Sequence, residues 1–258
     1  YEIPLRLVGS EMCIRDSRYC IYPSEGGPMI QTDGDANSMM LFLPPATYKI
    51  LVFNYDAKNI DFRNMSRFDE AEAYILQTKA TGQASQGITP LYGFVVDSLE
   101  ITPGQDKSGT LVLTPLVRHV TFTVQVDKPE EIKTCKGSLS GVSTSLNLSK
   151  RKVVTEASTN VEFDMETSDK GVNGDLIILG TALPKEEEQK PVTNQVTIDF
   201  TLSDGSMVSA TADLEDKLNE IDTPHVNVTI NATVEKSPKF TIRLTNWEVG
   251  PGEETTIE

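Results

Sequence analysis

Apolar and polar residues alternate along much of this chain with a period of two residues. That is the period of a β-strand with one buried face and one solvated face. Threonine and asparagine dominate the polar positions, and strands of this kind pair best in antiparallel sheets. The pattern predicts an all-β protein of antiparallel β-sandwich structure rather than a parallel α/β sheet. The clearest segments are residues 119–126, 161–166, 196–202, 226–234 and 240–245.

Residues 43–54, LPPATYKILVFN, predict a turn that opens directly into a core strand. Pro44 and Pro45 interrupt the preceding element, because proline has no N–H to donate and biases the residue before it towards extended backbone. The strand that follows has one face of alternating apolar residues, which is expected to point into a core. This face consists of Tyr48, Ile50 and Val52.

Two further segments predict particular places in a sheet. Residues 176–179 are Leu, Ile, Ile and Leu without a break, which is typical of a central strand covered on both sides. Asp204 and Gly205 separate two strand-like runs, and glycine tolerates the positive φ of a hairpin turn. We therefore predict a hairpin that pairs residues 195–203 with residues 206–213.

Helix is predicted at two short places. The first would begin at a capping box formed by Ser66 and Asp69. Its apolar side would consist of Phe68, Ala71 and Ile75. The second is indicated by the spacing of Leu214, Leu218 and Ile221.

The chain has 258 residues, which is enough for two domains of ordinary size. A strand-like run that ends at Leu113 stops just before Pro115, and a long alternating segment follows directly. We predict a domain boundary there. An N-terminal β-sandwich would occupy residues 18–115, and a C-terminal β-sandwich would occupy residues 116–258.

The charge of the chain restricts its partners. There are 38 acidic and 23 basic residues, a net charge of −15. This charge repels phosphate backbones and anionic lipid headgroups, so nucleic acid is not expected to bind. The three cysteines, Cys13, Cys20 and Cys135, form no CxxC pair and predict neither a zinc site nor a disulfide framework. No run approaches the roughly 20 apolar residues of a membrane span.

The two histidines, His119 and His225, predict surface positions rather than catalysis. No GxSxG nucleophile elbow and no partnered cysteine accompanies them. A histidine-based triad would need one of these two residues.

Acidic residues offer two patterns, and both fail as sites. Asp33, Asp35 and Asn37 have the spacing that opens a calcium loop, but Ser38 and Pro44 stand where glycine and glutamate are required. A polar turn between strands is the simpler interpretation. Asp164, Glu166 and Asp169 are close enough in sequence to suggest the carboxylate pair of a glycoside hydrolase. They are expected on a solvated strand face and in the turn after it, where nothing raises the pKa of one carboxylate above that of another, as acid and base roles require. We therefore predict no catalytic, cofactor-binding or metal residues, no cofactor and no enzymatic activity.

Two short features remain. Asp97, Ser98 and Leu99 fit the Asp-Ser-apolar pattern of O-glycosylation in some gut bacteria, although about one such triplet is expected by chance in this chain. Trp247 is the sole tryptophan, and it is interpreted as a plug at the end of a strand and of a sandwich rather than as a sugar-stacking platform.

The N-terminal segment, residues 1–17, lacks the alternating pattern of the rest of the chain. Residues 5–17, LRLVGSEMCIRDS, fit neither a strand nor an amphipathic helix, and a plausible strand starts abruptly at Tyr19. The string VGSEMCIRDS resembles a translated sequencing-adapter remnant. We therefore expect residues 1–17 to be non-native and the natural N-terminus, with any signal peptide or lipid-bearing cysteine, to be lost.

Several motifs occur in a characteristic order and spacing. They are YPSEGG at 22–27, LPPATYKILVFN at 43–54, PLVRHVTFTVQV at 115–126, LSGVSTSLNLS with Gly141 at 139–149, LSDGS with Asp204 and Gly205 at 202–206, and NWEV with Trp247 at 246–249. Their order resembles the fimbrillin superfamily of Bacteroidota, in particular its fimbrial anchor-like and accessory-subunit relatives. The resemblance covers residues from Arg18 to Val249.

This resemblance implies two tandem transthyretin-like β-sandwich domains with one or two short helices. It implies a non-enzymatic lipoprotein of the cell surface and outer membrane, secreted through a signal peptide absent from this chain, that serves as a fimbrial anchor, tip or adhesive accessory subunit. Partners would be other fimbrial subunits joined by β-strand addition, or host or bacterial surface ligands. The membrane would be reached only through the lost N-terminal lipid anchor. The alternative function is a glycan-binding surface lipoprotein of a polysaccharide-uptake system, which would need exposed aromatic platforms.

Overall fold

The computed structural model describes residues 3–9, 16–35, 39–76, 87–104, 107–182, 194–214, 217–220, 223–236 and 240–252. Strands dominate these ranges, as the alternating pattern predicts. Helix within them is limited to α1 (Lys217–Glu220) and two 3-10 turns, at Phe68–Glu70 and Pro129–Glu131. The all-β prediction, with antiparallel sheets and very little helix, is confirmed.

The strands of the described residues are β1 (Ile3–Gly9), β2 (Ser17–Pro23), β3 (Ile30–Gly34), β4 (Met39–Leu43), β5 (Ala46–Asn54), β6 (Ile60–Arg63), β7 (Glu72–Ile75), β8 (Tyr92–Ile101), β9 (Lys107–Leu111), β10 (Thr114–Pro115), β11 (Arg118–Val126), β12 (Ile132–Asn147), β13 (Lys152–Ser168), β14 (Gly171–Ile178), β15 (Gln195–Leu202), β16 (Met207–Asp213), β17 (His225–Lys236) and β18 (Phe240–Pro251).

The chain divides into two compact units. Unit 1 holds residues 1–74, 89–116 and 146–152, and unit 2 holds residues 75–88, 117–145 and 153–258. The main boundary between the two units lies between Leu116 and Val117. In addition, residues 75–88 before this boundary belong to unit 2, and residues 146–152 after it belong to unit 1. A single boundary drawn from local composition does not predict these two segments.

Unit 1 contains a five-stranded sheet in the order β10-β8-β5-β2-β3 and a three-stranded sheet in the order β4-β1-β9. Strand β5 is central in the larger sheet, and its face of Tyr48, Ile50 and Val52 is 3%, 1% and 1% exposed. A single buried cluster joins that face to residues of β4 and β9 from the smaller sheet. Apolar faces of two sheets therefore enclose one core, as in a sandwich.

Part of the N-terminal segment forms a strand, contrary to the prediction for residues 5–9, and Ser17 already belongs to β2. Residues 3–9 make up β1, which runs antiparallel to β4 and parallel to β9. The missing alternation misled the prediction because main-chain hydrogen bonds, which any non-proline residue can make, specify this strand.

Unit 2 is built on a sheet with the path β16-β15-β12-β13-β14-β11-β17-β18. Its two end strands, β16 and β18, contact each other, so the sheet folds back over its own core. One neighbouring pair, β11 and β17, is parallel, which the expectation of antiparallel pairing did not include. The predicted central strand corresponds to the end of β14, where Leu176 and Ile178 are buried and Ile177 is half-buried, and Leu179 directly after it is also buried.

The predicted hairpin is present. Strands β15 and β16 pair from Gln195↔Asp213 to Thr201↔Met207. Gly205 has a φ of +84°, and its N–H donates to the Leu202 carbonyl at 2.9 Å. Asp204 supports the turn, since its Oδ1 accepts the Ser206 N–H at 2.9 Å.

The first predicted helix is wrong in length and in its cap. Only Phe68–Glu70 are helical, as a 3-10 turn, and the residue before it is Arg67, with no side-chain capping bond. Ile75 lies in β7 instead. Carbonyls that a helix would use are engaged elsewhere, because the Asp69 carbonyl accepts from Asn147 Nδ2 at 2.8 Å and Ala71 accepts from the residue 148 N–H at 2.9 Å. At the second site, α1 forms and Leu214 and Leu218 are buried, while Ile221 lies outside the described residues.

Ser17→Ala is expected to raise the free energy of unfolding by about 1 kcal/mol, because it removes a buried hydroxyl that has no partner. Ser17 is 0% exposed, and its Oγ forms no hydrogen bond within the described part of the chain. The matched control is Ser143→Ala. Ser143 is also 0% exposed, but its Oγ lies 2.8 Å from the Val154 carbonyl oxygen.

Ser143→Ala is expected to lower the free energy of unfolding by about 1 to 2 kcal/mol, because the Val154 carbonyl loses its hydrogen-bond donor. Equilibrium unfolding in urea measures both changes. Equal destabilisation by the two substitutions would contradict the assignment of an unsatisfied hydroxyl to Ser17.

Candidate functional site

The smaller sheet of unit 1 contains a strand slot, defined as the space between β4 and β9 that β1 occupies. Strand β1 pairs with β4 from Ile3↔Leu43 to Leu7↔Met39 and with β9 from Leu5↔Lys107 to Gly9↔Leu111. Among the described residues, neither β4 nor β9 pairs with any other strand. On the edges that face the slot, the main-chain hydrogen bonds of β4 and β9 are therefore made with β1.

The side chains of β4 alternate between the core and solvent. Leu41 and Leu43 are 5% and 2% exposed, and with Leu111 of β9 they belong to the buried cluster of unit 1. Met40 and Phe42 point the other way, and each is 54% exposed. The slot thus combines two rows of backbone donors and acceptors with apolar residues on the core side, which are the two elements of recognition by strand addition.

Unit 2 contains a polar cleft of about 580 Å³. Its polar lining comes from neighbouring strands and includes His119, Lys136, Glu162, Asp164 and Asp175. The strand register explains why they meet, because polar residues occupy the same face of β11, β14 and β13.

His119 lies at the centre of a small polar cluster. Its Nε2 is 3.1 Å from Asp175 Oδ1, and the same carboxylate oxygen accepts the Thr121 hydroxyl at 2.7 Å. The ring of His225, which faces His119 in the parallel pair, meets it edge-on with the centroids 5.6 Å apart. The Thr121 hydroxyl is directed to the aspartate rather than to a histidine, so this cluster does not have the nucleophile–base contact of a triad.

Asp164 lines this cleft, and the other acidic residues considered from the sequence lie outside it. Glu166 and Asp169 are exposed on β13 and the turn after it. Asp33 lies in β3 rather than in a turn, and Arg18 donates to both of its carboxylate oxygens at 2.8 and 2.9 Å. This hydrogen-bonded guanidinium lowers the pKa of the Asp33 carboxyl. Asn37 lies outside the described residues.

No group of three or more acidic, histidine or cysteine side chains suited to a metal ion occurs in the described ranges.

The two described cysteines are poor nucleophiles. Burial raises the pKa of Cys20 to about 11 and that of Cys135 to about 12. Both are therefore neutral thiols at physiological pH, and the thiolate is the reactive form. They contribute to the cores in which they are buried.

The remaining motif positions have structural surroundings. Gly141 has a φ of +72° within β12, and its carbonyl accepts the Ala182 N–H at 2.8 Å. Trp247 does not end a strand as predicted. It lies inside β18 opposite Ile230 and is half-buried, next to an irregularity in the register with β17. Its role as a plug stays a prediction.

Sequence reasoning missed the strand slot and the meeting of His119, His225 and Asp175. The parallel register of β11 and β17 brings the two histidines side by side. One available signal was their equivalent position, each at the start of an alternating strand. No local signal marked Asp175 as their neighbour.

The two compact units of mostly antiparallel sheet agree with the tandem β-sandwich fold that the resemblance noted from the sequence implies. The family model described as "Domain of unknown function (DUF5119)" matches residues 15–164. The chain belongs to this family.

Individual relatives confirm the resemblance noted from the sequence. The "Putative fimbrium anchoring subunit Fim4B" of Bacteroides ovatus is 25% identical over 60% of this chain, which spans 48% of that relative's length. Among solved structures, a "putative adhesin" from Bacteroides ovatus has a TM-score of 0.67 at 20% identity, covering 95% of this chain and 92% of its own. The fimbrial anchor protein Mfa2 from Porphyromonas gingivalis has a TM-score of 0.63 at 11% identity, covering 98% of each chain.

The described part of the chain contains no helix that is both long and apolar enough to span a membrane.

Proposed function

We propose that this chain is a non-enzymatic subunit of the bacterial cell surface, of the fimbrial anchor, tip or accessory type. The observation that carries the proposal is the strand slot of unit 1, in which β1 is inserted between two strands with no other described partner. Relatives named as a fimbrium anchoring subunit, a fimbrial anchor protein and an adhesin support the same class.

The slot would receive a strand from another fimbrial subunit. Edges of β4 and β9 would supply main-chain hydrogen bonds on both sides of the incoming strand, and the buried leucines of both strands would contact its alternate side chains. Because the backbone supplies most of these bonds, strands of different sequence can occupy the slot. Host or bacterial surface ligands are the other class of partner for such a subunit.

The proposal places the protein on the outer membrane, secreted through a signal peptide and held by an N-terminal lipid anchor. The net charge of −15 is suited to this location, because a strongly charged surface keeps a protein soluble and unassociated at a crowded exterior.

A cleavable form of the full chain tests strand addition. A protease site is inserted between β1 and β2, so that cutting leaves β1 in place but no longer covalently attached. A labelled peptide with the sequence of residues 3–9 is then added, and fluorescence anisotropy follows its binding. The cut protein is expected to take up the peptide by exchange, whereas the uncut protein excludes it because its own β1 is tethered at high effective concentration.

A second peptide, with proline in place of Leu5 and Leu7, is the matched control. Proline cannot donate a main-chain hydrogen bond, so this peptide is expected not to bind. If the cut protein binds neither peptide, or binds both equally, the proposal that this slot accepts an added strand is wrong.

A further inference from the structure

We propose that Ser98 is an acceptor for O-linked glycosylation, with the Asp97-Ser98-Leu99 triplet as its recognition segment. The triplet lies on β8, in unit 1, in a strand that the strand slot does not include. The inference goes beyond the proposed function, since it concerns a covalent modification of the protein surface.

The backbone at this point forms a bulge. Tyr48 of β5 is paired with Leu99, and Ile50 is paired with Val96. One residue of β5 therefore faces two residues of β8, Asp97 and Ser98. A bulge leaves its extra residue out of the ladder and turns side chains away from their regular directions.

Both bulged residues are open to solvent. Asp97 and Ser98 are exposed, and within the described residues neither side chain makes a hydrogen bond or an ion pair. Lys49, the residue of β5 opposite the bulge, forms no ion pair with Asp97 within the described residues, and its ammonium lies 4.8 Å from the centroid of the Phe68 ring. The triplet thus presents a free hydroxyl beside a free carboxylate.

The strand at this point is also an edge. On its outer side β8 pairs with β10 only at Tyr92 and Gly93, so past Gly93 no described strand covers it. Leu99, the residue after the bulge, packs against the buried cluster of unit 1 and so holds this part of β8 in place. A modifying enzyme could therefore approach an extended, firmly held segment from its open side.

The only other Asp-Ser pair of the chain, Asp16 and Ser17, differs in its surroundings. Ser17, which follows Asp16, is 0% exposed and precedes Arg18 instead of an apolar residue. The two Asp-Ser pairs thus differ in the accessibility of the hydroxyl, which the sequence does not reveal.

The reaction is a glycosyl transfer. Ser98 Oγ forms a bond to the anomeric carbon of a glycosyl diphosphate donor, the bond from that carbon to the diphosphate oxygen breaks, and the diphosphate leaves with the electron pair. The hydroxyl proton passes to a base of the transferring enzyme. No oxidation or reduction occurs. The Asp97 carboxylate is available for recognition by a cationic group of that enzyme.

The test uses the full chain, fused to a secretion leader and produced in Bacteroides ovatus, from which relatives of this protein come. Because the leader supplies export, the result does not depend on the proposed function. Intact mass and fragment mass spectrometry of the exported protein are expected to show sugar units attached to residue 98. Ser98→Ala is expected to lose them completely, Ser98→Thr to retain them, and Asp97→Asn to lose most of them.

Ser108→Ala is the matched control, because Ser108 is an exposed serine of β9 preceded by lysine rather than aspartate. It is expected to keep the full mass increase. All variants should unfold at the same temperature as the parent protein. An unmodified residue 98, a mass increase that persists in Ser98→Ala, or an increment equal to a phosphate group would each overturn the proposal.

Discussion

Replacing Gly171 by alanine is expected to lower the free energy of unfolding by about 4 kcal/mol, because the added methyl group would both strain the backbone and clash with a neighbouring strand. Gly171 begins β14 with a φ of +143°, a conformation that residues with a Cβ rarely adopt. A Cβ there would lie 1.9 Å from the carbonyl oxygen of Val124. That atom is backbone of β11, so no side-chain rotation can relieve the contact. Equilibrium unfolding in urea measures the loss.

Two other glycines separate the two causes. Gly205 has a φ of +84°, but no atom lies within 4 Å of the position that a Cβ would take, so Gly205→Ala is expected to cost about 1 kcal/mol from strain alone. Gly109 has open space and no positive φ, and Gly109→Ala is expected to change stability by less than about 0.5 kcal/mol. If Gly171→Ala costs no more than Gly205→Ala, the steric explanation fails.

Phe122→Ala is expected to lower the free energy of unfolding by about 4 kcal/mol, because it removes a large buried ring and leaves a cavity. Phe122 is 0% exposed and stacks on Phe163 with the ring centroids 4.8 Å apart and the planes 21° from parallel. Gly137 and Gly174, on the strands either side of Phe163, leave the space that its ring fills, since a Cβ would approach it to 2.3 and 3.0 Å. Neighbouring strands cannot collapse easily into the cavity. Urea unfolding measures the change.

Met207→Ala is the control for this prediction. Met207 is also a large apolar residue of unit 2, but it is 79% exposed. Its replacement is expected to change stability by less than about 0.5 kcal/mol. A loss for Phe122→Ala below about 2 kcal/mol would mean that the core relaxes around the missing ring, contrary to the tight packing described above.

The alternating segments predicted the strands well. Residues 119–126 and 226–234 lie within β11 and β17, and each has its apolar side chains buried. Periodicity is a reliable signal here because a strand with one apolar face must bury that face, whichever partner it finds. The identity and direction of the partner are different matters. Parallel and antiparallel ladders accept the same alternation, so the parallel pairing of β11 with β17 could not be predicted.

Local signals failed where distant hydrogen bonds decide the structure. Ser66 and Asp69 match a capping box, but the carbonyl of Asp69 accepts from Asn147 and the chain leaves the helix at once. Residues 5–9 lack a strand pattern, yet β4 and β9 offer backbone partners on both sides. In both places the competing interaction comes from residues far away along the chain, which propensity does not include.

The candidate sites divide in the same way. The Asp97-Ser98-Leu99 triplet is visible in the sequence, but its exposure depends on the bulge against β5. His119 and His225 are visible as polar positions, but their contact depends on strand order. The strand slot has no sequence motif, because main-chain atoms form its sides.

By itself, the sequence determined that this protein is all-β, which residues face a core in its alternating strands, and which superfamily it resembles. These properties follow from side-chain periodicity and from short motifs, both of which are local. Only the tertiary structure decided which strands pair, where β1 is inserted, and which of two Asp-Ser pairs is open to solvent. The physical reason is that backbone hydrogen bonding is nearly independent of side-chain identity, so partners are selected by the packing of the whole unit.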